Sequence, residues 1–196
     1  QARHVLTRLA PEANVTATTP LELSKAEVPE SATVANLFKK GRATNTLLFW
    51  LAFFMCLLTM YALGSWMPKL MMAAGYSMGS SLLFLLAMNI GAVIGTVSGG
   101  MLADRFHLKP VIMVLGVVGA IVLSLLGFEP PQVALYLMIA LAGAASIGSQ
   151  ILLYSYVAQY YPVAVRSTGI GWASAVGRSG AIIGPILIGM LLGMDL

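Results

Sequence analysis

The chain has 196 residues, of which 59% are hydrophobic and 9% are charged, and its formal net charge is +4. A water-soluble surface needs roughly a quarter or more of charged residues, so this composition excludes a soluble globular enzyme, a disordered protein and a coiled coil. The basic excess does not indicate nucleic-acid binding, because no segment combines a basic patch with stacking aromatic residues. The single cysteine, Cys56, excludes an intrachain disulfide and a cysteine metal site. The sequence therefore predicts an all-α membrane protein.

Residues 1–43 are polar and lack the order of basic, apolar and small residues that marks a signal peptide. Apolar residues at helical spacing within 5–9 and 34–38 predict two short amphipathic helices, with an irregular loop as the alternative. We interpret this segment as a cytoplasmic loop. Because the chain begins with Gln1, we expect it to be part of a longer protein.

Residues 44–196 form long stretches with almost no charge, and about 20 mostly apolar residues suffice for a helix to cross a bilayer. Five membrane-spanning helices are predicted, at about 44–66, 78–102, 110–128, 132–157 and 168–192. Cations near the membrane fall mainly on one side of these spans: Lys39, Lys40, Arg42, Arg105, Lys109 and Arg166. The other side carries Lys69 alone, so the positive-inside rule places residues 1–42 in the cytoplasm.

The second and fifth predicted spans resemble each other at one fixed offset. Residues 89–102 and 178–191 are identical at seven of fourteen positions after a shift of 89. Because the two spans cross in opposite directions, the match predicts an inverted repeat of three plus three helices, as in many secondary transporters. The second repeat would lack its last helix, so we expect a sixth span to be missing. Chance similarity between two small apolar helices is the alternative.

Arg178 is the one charged residue inside a predicted span, where a charge costs about 2.5–3.5 kcal/mol even on a lenient insertion scale. The five spans contain no acidic residue that would pair with it. Its planar guanidinium matches a carboxylate with two hydrogen bonds, so we interpret Arg178 as a binding site for an anionic substrate. A structural ion pair with another part of the protein and snorkelling to the interface are the alternatives.

Further polar and aromatic residues at membrane depth are candidates for contact with a substrate: Asn89, Gln150, Tyr154, Tyr61, Phe54 and Trp172. Gln150 and Tyr154 share one helix face, and hydrogen bonding between helices is the alternative role for both. Phe54 and Tyr61 lie deep enough in the first span to stack on an aromatic ring. The chain has no phosphate loop, no Ser-His-Asp set and no metal-ligand spacing, so we expect neither an enzyme nor a cofactor.

The connection after the second span, residues 100–109, resembles the loop signature of the major facilitator superfamily. Asp104 and Arg105 match it, whereas His107 and Leu108 stand where glycine and a basic residue are usual. The resemblance implies a cytoplasmic gate that we assign to Gly100, Asp104, Arg105, Lys109 and Arg166. A pair of charges that only solubilises the helix end is the alternative.

Residues 48–68 and 161–185 are similar to the aromatic acid:proton symporters of that superfamily. The resemblance implies helices seven to eleven of twelve, in the C-terminal half of a transporter of the bacterial plasma membrane. That transporter would import benzoate-like carboxylates with protons by alternating access, with the proton-coupling residue in the missing N-terminal half. Its partners would be the substrate, protons, the lipid bilayer and that N-terminal half. Transport of another organic acid, a sugar or a drug, and a membrane subunit that transports nothing, are the alternatives.

Overall fold

The computed structural model describes residues 33–194 except 74, 76, 129 and 130. The first predicted amphipathic helix, at residues 5–9, therefore lies outside the described residues. The segment before the first span folds as a short 3-10 helix at Val34–Leu37. Its Leu37 side chain is fully buried against the ends of the spans, so this part of the predicted loop is packed onto the bundle.

Five long helices follow, and all five are long and apolar enough to cross a membrane. They are α1 at Ala43–Ala73, α2 at Met78–Phe106, α3 at Leu108–Leu125, α4 at Gln132–Tyr160 and α5 at Val163–Gly193. The predicted all-α membrane architecture with five spans is confirmed. The helices outrun the predicted spans, most clearly α1 beyond residue 66 and α5 before residue 168, because helical hydrogen bonding continues where the apolar stretch ends.

The fourth span is not a uniform α-helix. It is α-helical at Gln132–Gly143, π-helical at Ala144–Gly148 and α-helical again at Ser149–Tyr160. The apolar stretch predicts one regular helix here, because apolar periodicity carries no signal for a local change of hydrogen-bond register. Such π-helical turns occur frequently at functional sites.

Two pairs of parallel helices pack closely because glycines remove the side chains between them. Gly180 and Gly184 of α5 lie directly against the backbone of Phe54 and Leu58 in α1. In the same way Gly91 and Gly95 of α2 lie against the backbone of α4, and rows of small residues allow this approach in membranes. The α1–α5 pair is consequently held together over most of its length.

The two glycine contacts are related by the internal repeat. Gly91 and Gly95 face Ala140 and Ala144 of α4, and their counterparts 89 positions later, Gly180 and Gly184, face residues of α1. Ala140 and Ala144 each lie 86 positions after the α1 residue in the equivalent contact. A constant shift on both sides of the contact is what an inverted repeat requires, and it makes α1 the counterpart of α4 and α2 the counterpart of α5.

A buried polar network fixes the ends of α1 and α4 to the segment that precedes α1. The Thr46 hydroxyl lies 2.8 Å from the Leu37 carbonyl oxygen, 2.9 Å from that of Arg42 and 2.8 Å from the Tyr161 hydroxyl. Arg42 donates from Nη2 to the Asn36 carbonyl oxygen at 3.0 Å. Because hydrogen bonds satisfy these buried polar groups, the network holds the 3-10 helix in one position.

Candidate functional site

A cavity of about 440 Å³ opens where α1, α4 and α5 meet. We call it the α1–α4–α5 cavity, and its lining residues are Leu57, Tyr61, Tyr154, Ser174, Arg178 and Ala181. The volume lies in the range of about 300–1,000 Å³ typical of small-molecule sites. One cation, three hydroxyl groups and two apolar side chains therefore surround a space large enough for a small organic ligand.

Helical spacing brings the lining residues to the cavity. Ser174, Arg178 and Ala181 follow one another at intervals of four and three residues, so they share one face of α5. Leu57 and Tyr61 share one face of α1 by the same rule. Since the glycines of α5 clamp that helix onto α1, the positions of these two faces relative to each other are set by backbone contacts rather than by flexible side chains.

Tyr154 is held at the cavity by two neighbours. Its hydroxyl lies 3.0 Å from the Ser174 hydroxyl, which joins α4 to α5. Its ring meets Phe53 edge to face, with ring centroids 4.7 Å apart. An edge-to-face pair of this kind is favourable by about 0.5–1.5 kcal/mol beyond the burial of area, so the phenol is fixed in orientation before any ligand arrives.

Arg178 is exposed to the cavity side of α5 and supplies the positive charge of the site. Among the residues that the structure describes, Asp104 is the only acidic one, and it lies in the last turn of α2. A carboxylate that pairs with Arg178 must therefore come from a ligand or from a part of the protein outside the described residues. A guanidinium has a forked donor geometry that matches a carboxylate with two hydrogen bonds.

The structure brings three of the seven predicted substrate contacts together: Arg178, Tyr61 and Tyr154 line one cavity. Phe54 is half-buried, and its backbone carbonyl packs against Gly180. Trp172 stacks on Trp50 with ring centroids 5.9 Å apart and lines a separate depression of about 430 Å³.

The two predicted amide contacts lie elsewhere in the described part of the bundle. Gln150 is 7% exposed, just after the π-helical turn, and its Oε1 has no hydrogen-bond partner among the described residues. Asn89 is exposed on α2, where its Nδ2 donates to the Leu85 carbonyl oxygen at 2.7 Å. Neither residue lines the α1–α4–α5 cavity.

Three lining residues were not among the predicted contacts: Leu57, Ser174 and Ala181. Ser174 and Ala181 lie four residues before and three after Arg178, and Leu57 lies four before Tyr61. Helical neighbours of the predicted residues would therefore have identified all three.

The predicted gate residues lie at the ends of the helices. Asp104, Arg105 and Lys109 are exposed around the connection from α2 to α3, and a Cβ atom at Gly100 would meet nothing within 4 Å. Arg166 is half-buried at the start of α5, where its Nε donates to the Tyr161 carbonyl oxygen at 3.4 Å.

His107 joins α2 to α3 with φ 68° and ψ 155°. This region of backbone space is essentially restricted to glycine and costs other residues about 1–3 kcal/mol. The position is the one at which the loop signature has glycine, so the departure of the sequence from the signature produces local backbone strain.

The bundle and its loop signature indicate one protein family, and a comparison with protein families identifies it. The family description "Major Facilitator Superfamily" matches residues 5–185. This chain belongs to the major facilitator superfamily. The match covers all five spans up to Pro185 of α5, so the loop signature and the glycine contacts are features of a superfamily member.

Three relatives are named as transporters of aromatic acids. The chain is 53% identical over 165 residues to the benzoate transport protein of Acinetobacter baylyi, which covers 84% of this chain and 35% of the relative. It is 45% identical over 149 residues to the gentisate transporter of Corynebacterium glutamicum, and the aligned region covers 76% of this chain and 33% of that relative. It is 34% identical over 174 residues to the 4-hydroxybenzoate transporter of Pseudomonas aeruginosa, and the aligned region covers 85% of this chain and 39% of that relative.

The chain thus spans between a third and two fifths of the length of these three relatives. The family and the names of these relatives are those of membrane transporters and not of enzymes.

Proposed function

We propose that this chain forms the C-terminal half of a secondary active transporter that imports small aromatic carboxylates with protons by alternating access. The observation that carries the proposal is the α1–α4–α5 cavity, in which Arg178 lies together with Tyr61 and Tyr154. The similarity to relatives named for benzoate, gentisate and 4-hydroxybenzoate supports this substrate class.

The chemistry of the cavity matches the two parts of such a substrate. Arg178 binds the carboxylate through two N–H donors, and charge-assisted bonds of this kind are about twice as strong as neutral ones. Tyr61 of α1 is 46% exposed, and its ring packs against the aromatic ring of the substrate. The hydrogen-bonded pair of Tyr154 and Ser174 adds hydroxyl groups to the cavity, and Ser174 lies one turn before Arg178 on the same face of α5.

Proton coupling and access belong to other parts of the transporter. We place the proton-coupling residue in the N-terminal half of the transporter, as the resemblance to aromatic acid:proton symporters implies. We assign Gly100, Asp104, Arg105, Lys109 and Arg166 to the cytoplasmic gate. The distribution of cations supports a cytoplasmic position for residues 1–42, and the bacterial origin of the relatives supports the bacterial inner membrane as the location.

The test is proton-driven uptake of radiolabelled benzoate by membrane vesicles that contain the full-length transporter. Arg178→Gln removes the charge and the fork, and a lost charge-assisted hydrogen bond of about 1.5–3 kcal/mol predicts a 10- to 150-fold loss of uptake at low substrate concentration. Arg178→Lys keeps the charge without the fork, so it is expected to restore only part of the uptake.

Lys69→Gln is the matched control, because it removes a cation that lies over the Trp66 ring and outside the cavity. Uptake in a normally inserted Arg178→Gln variant that equals uptake in Lys69→Gln would refute the role of Arg178. Unlabelled benzoate, lactate and glucose are compared as competitors of the labelled benzoate, and stronger inhibition by benzoate separates an aromatic substrate from another organic acid or a sugar. Inhibition by lactate or glucose as strong as inhibition by benzoate would refute the proposed substrate class and leave the transport role intact.

A further inference from the structure

An apolar groove of about 410 Å³ runs between the ends of α2 and α3 that meet at His107. We call it the α2–α3 groove, and its wall includes Leu102 and Phe106 of α2 and Pro110 and Val114 of α3. Leu102, Phe106 and Val114 are 47%, 55% and 61% exposed, so the groove is open toward the surroundings of the bundle.

The wall of the groove offers no free hydrogen-bonding side chain. Ser98 is the one lining residue with a polar side chain, and its hydroxyl donates to the Ile94 carbonyl oxygen at 2.7 Å. The remaining lining residues are apolar or glycine. A hydrocarbon chain fits this wall, whereas a polar ligand would lose its hydrogen bonds to water without replacement.

The depth of the groove matches one leaflet of a bilayer. Its lining extends from Phe106, the last residue of α2, back to Ser98. At 1.5 Å per residue this distance is roughly 12 Å along the helix. A leaflet contributes about half of the hydrocarbon core of ~30 Å, so the groove reaches most of the way from the headgroups to the midplane.

Two cations stand at the mouth of the groove. The Arg105 guanidinium carbon lies 5.6 Å from the centroid of the Phe106 ring, and that ring is part of the wall. Lys109 is exposed and directly precedes Pro110, another wall residue. The negative charge of Asp104 offsets one of the two positive charges. The connection from residue 104 to residue 109 therefore has a formal net charge of +1, with His107 counted as neutral.

We propose that the α2–α3 groove binds an anionic phospholipid of the cytoplasmic leaflet, with one acyl chain in the groove and the phosphate between Arg105 and Lys109. Basic residues at the cytoplasmic mouth of a cleft between membrane helices recognise anionic headgroups in this way. The proposal concerns a lipid site separate from the α1–α4–α5 cavity and does not depend on the transported substrate.

The test uses the purified full chain in nanodiscs that contain equal parts of phosphatidylglycerol and phosphatidylcholine. Lipid retained after extraction into detergent is identified by mass spectrometry. Each cation near an anionic surface contributes about a fivefold preference, so two cations predict a 5- to 25-fold excess of retained phosphatidylglycerol. Equal retention of the two lipids would overturn the proposal.

Two pairs of variants locate the site. Val114→Trp fills the groove and is expected to abolish the excess, whereas Val117→Trp adds the same side chain at a residue that is 59% exposed and does not line the groove. Lys109→Gln is expected to lower the excess about fivefold, whereas Lys69→Gln is not.

Gel filtration and circular dichroism verify that each variant is folded. If Val114→Trp does not fold, the proposal is tested by comparing the excess of retained phosphatidylglycerol in Lys109→Gln with that in Lys69→Gln. A retained excess that is the same in Lys109→Gln and Lys69→Gln would overturn the proposal, as would equal retention by folded Val114→Trp and Val117→Trp.

Discussion

Replacement of Gly184 by alanine tests whether the backbone contact between α1 and α5 holds the bundle together. A Cβ atom at this position would lie 2.5 Å from the Leu58 carbonyl oxygen, and ordinary contact begins at 3.4 Å. The two helices must therefore separate locally by about 0.9 Å, and overpacking of this kind costs about 1–3 kcal/mol. Alanine recovers up to about 1 kcal/mol through its higher helix propensity.

The matched control is Gly171→Ala in the same helix, because a Cβ atom there would meet nothing within 4 Å. It gains the helix propensity without the collision, so the difference between the two variants isolates the steric cost of about 1–3 kcal/mol. A chain of this length changes its melting temperature by about 2–4 °C per kcal/mol. Gly184→Ala is therefore expected to melt roughly 2–12 °C below Gly171→Ala.

A thiol-reactive dye measures the transition in detergent, since Cys56 is the single cysteine of the chain and is partly buried in the folded state. A Gly184→Ala variant that melts at or above Gly171→Ala would show that α1 and α5 are not held at the distance seen in the structure.

Three further predictions concern the helix ends. His107→Gly relieves the positive φ of the α2–α3 connection and is expected to raise the melting temperature by a few degrees, because strain of about 1–3 kcal/mol exceeds the entropic cost of glycine of about 0.5–1 kcal/mol. Thr46→Val removes the hydroxyl partner of the Leu37 carbonyl oxygen and of the Tyr161 hydroxyl, whereas the Arg42 carbonyl oxygen still accepts from the backbone N–H of residue 46; the variant is expected to destabilise the chain by about 1–3 kcal/mol in the same assay. Burial raises the pKa of the Tyr161 phenol, and its hydrogen bond with Thr46 opposes the shift only in part. Tyr161 therefore stabilises the fold fully below its unfolded pKa of about 10 and loses this contribution as pH rises through the higher folded value. The stability difference between the parent chain and Tyr161→Phe is expected to shrink above that pH.

The five helices were predictable because a helix needs about 20 successive apolar residues to cross a bilayer. Each such stretch is recognised in the sequence by its lack of charged residues. Arg178 was predictable for the same reason, since it interrupts such a stretch. Tyr61 and Tyr154 were predictable as polar groups at depth. Each of these signals is local in the sequence and needs no knowledge of how the helices pack.

What the sequence did not reveal depends on contacts between helices. The π-helical turn at Ala144–Gly148 changes the hydrogen-bond register without changing the apolar pattern. Trp172 stacks on Trp50 and does not line the α1–α4–α5 cavity. Ser174 lines that cavity, and its hydroxyl is hydrogen-bonded to the Tyr154 hydroxyl. The direction of each side chain follows from the rotation of its helix, which packing determines and which spacing within one helix leaves open.

The internal repeat separates the residues that build the bundle from those that perform its chemistry. At the glycines, equivalent positions make equivalent contacts: Gly95 faces α4 as Gly184 faces α1. At the first position of the repeat the equivalence ends, because the Asn89 amide donates to its own helix whereas the Arg178 guanidinium lines a cavity. Packing that is symmetric forces two such positions to comparable depth, but it does not specify their side chains. A charge on only one of them, at a cost that the bilayer imposes, is therefore not required by the symmetric packing, and the proposed binding of a carboxylate by Arg178 accounts for it.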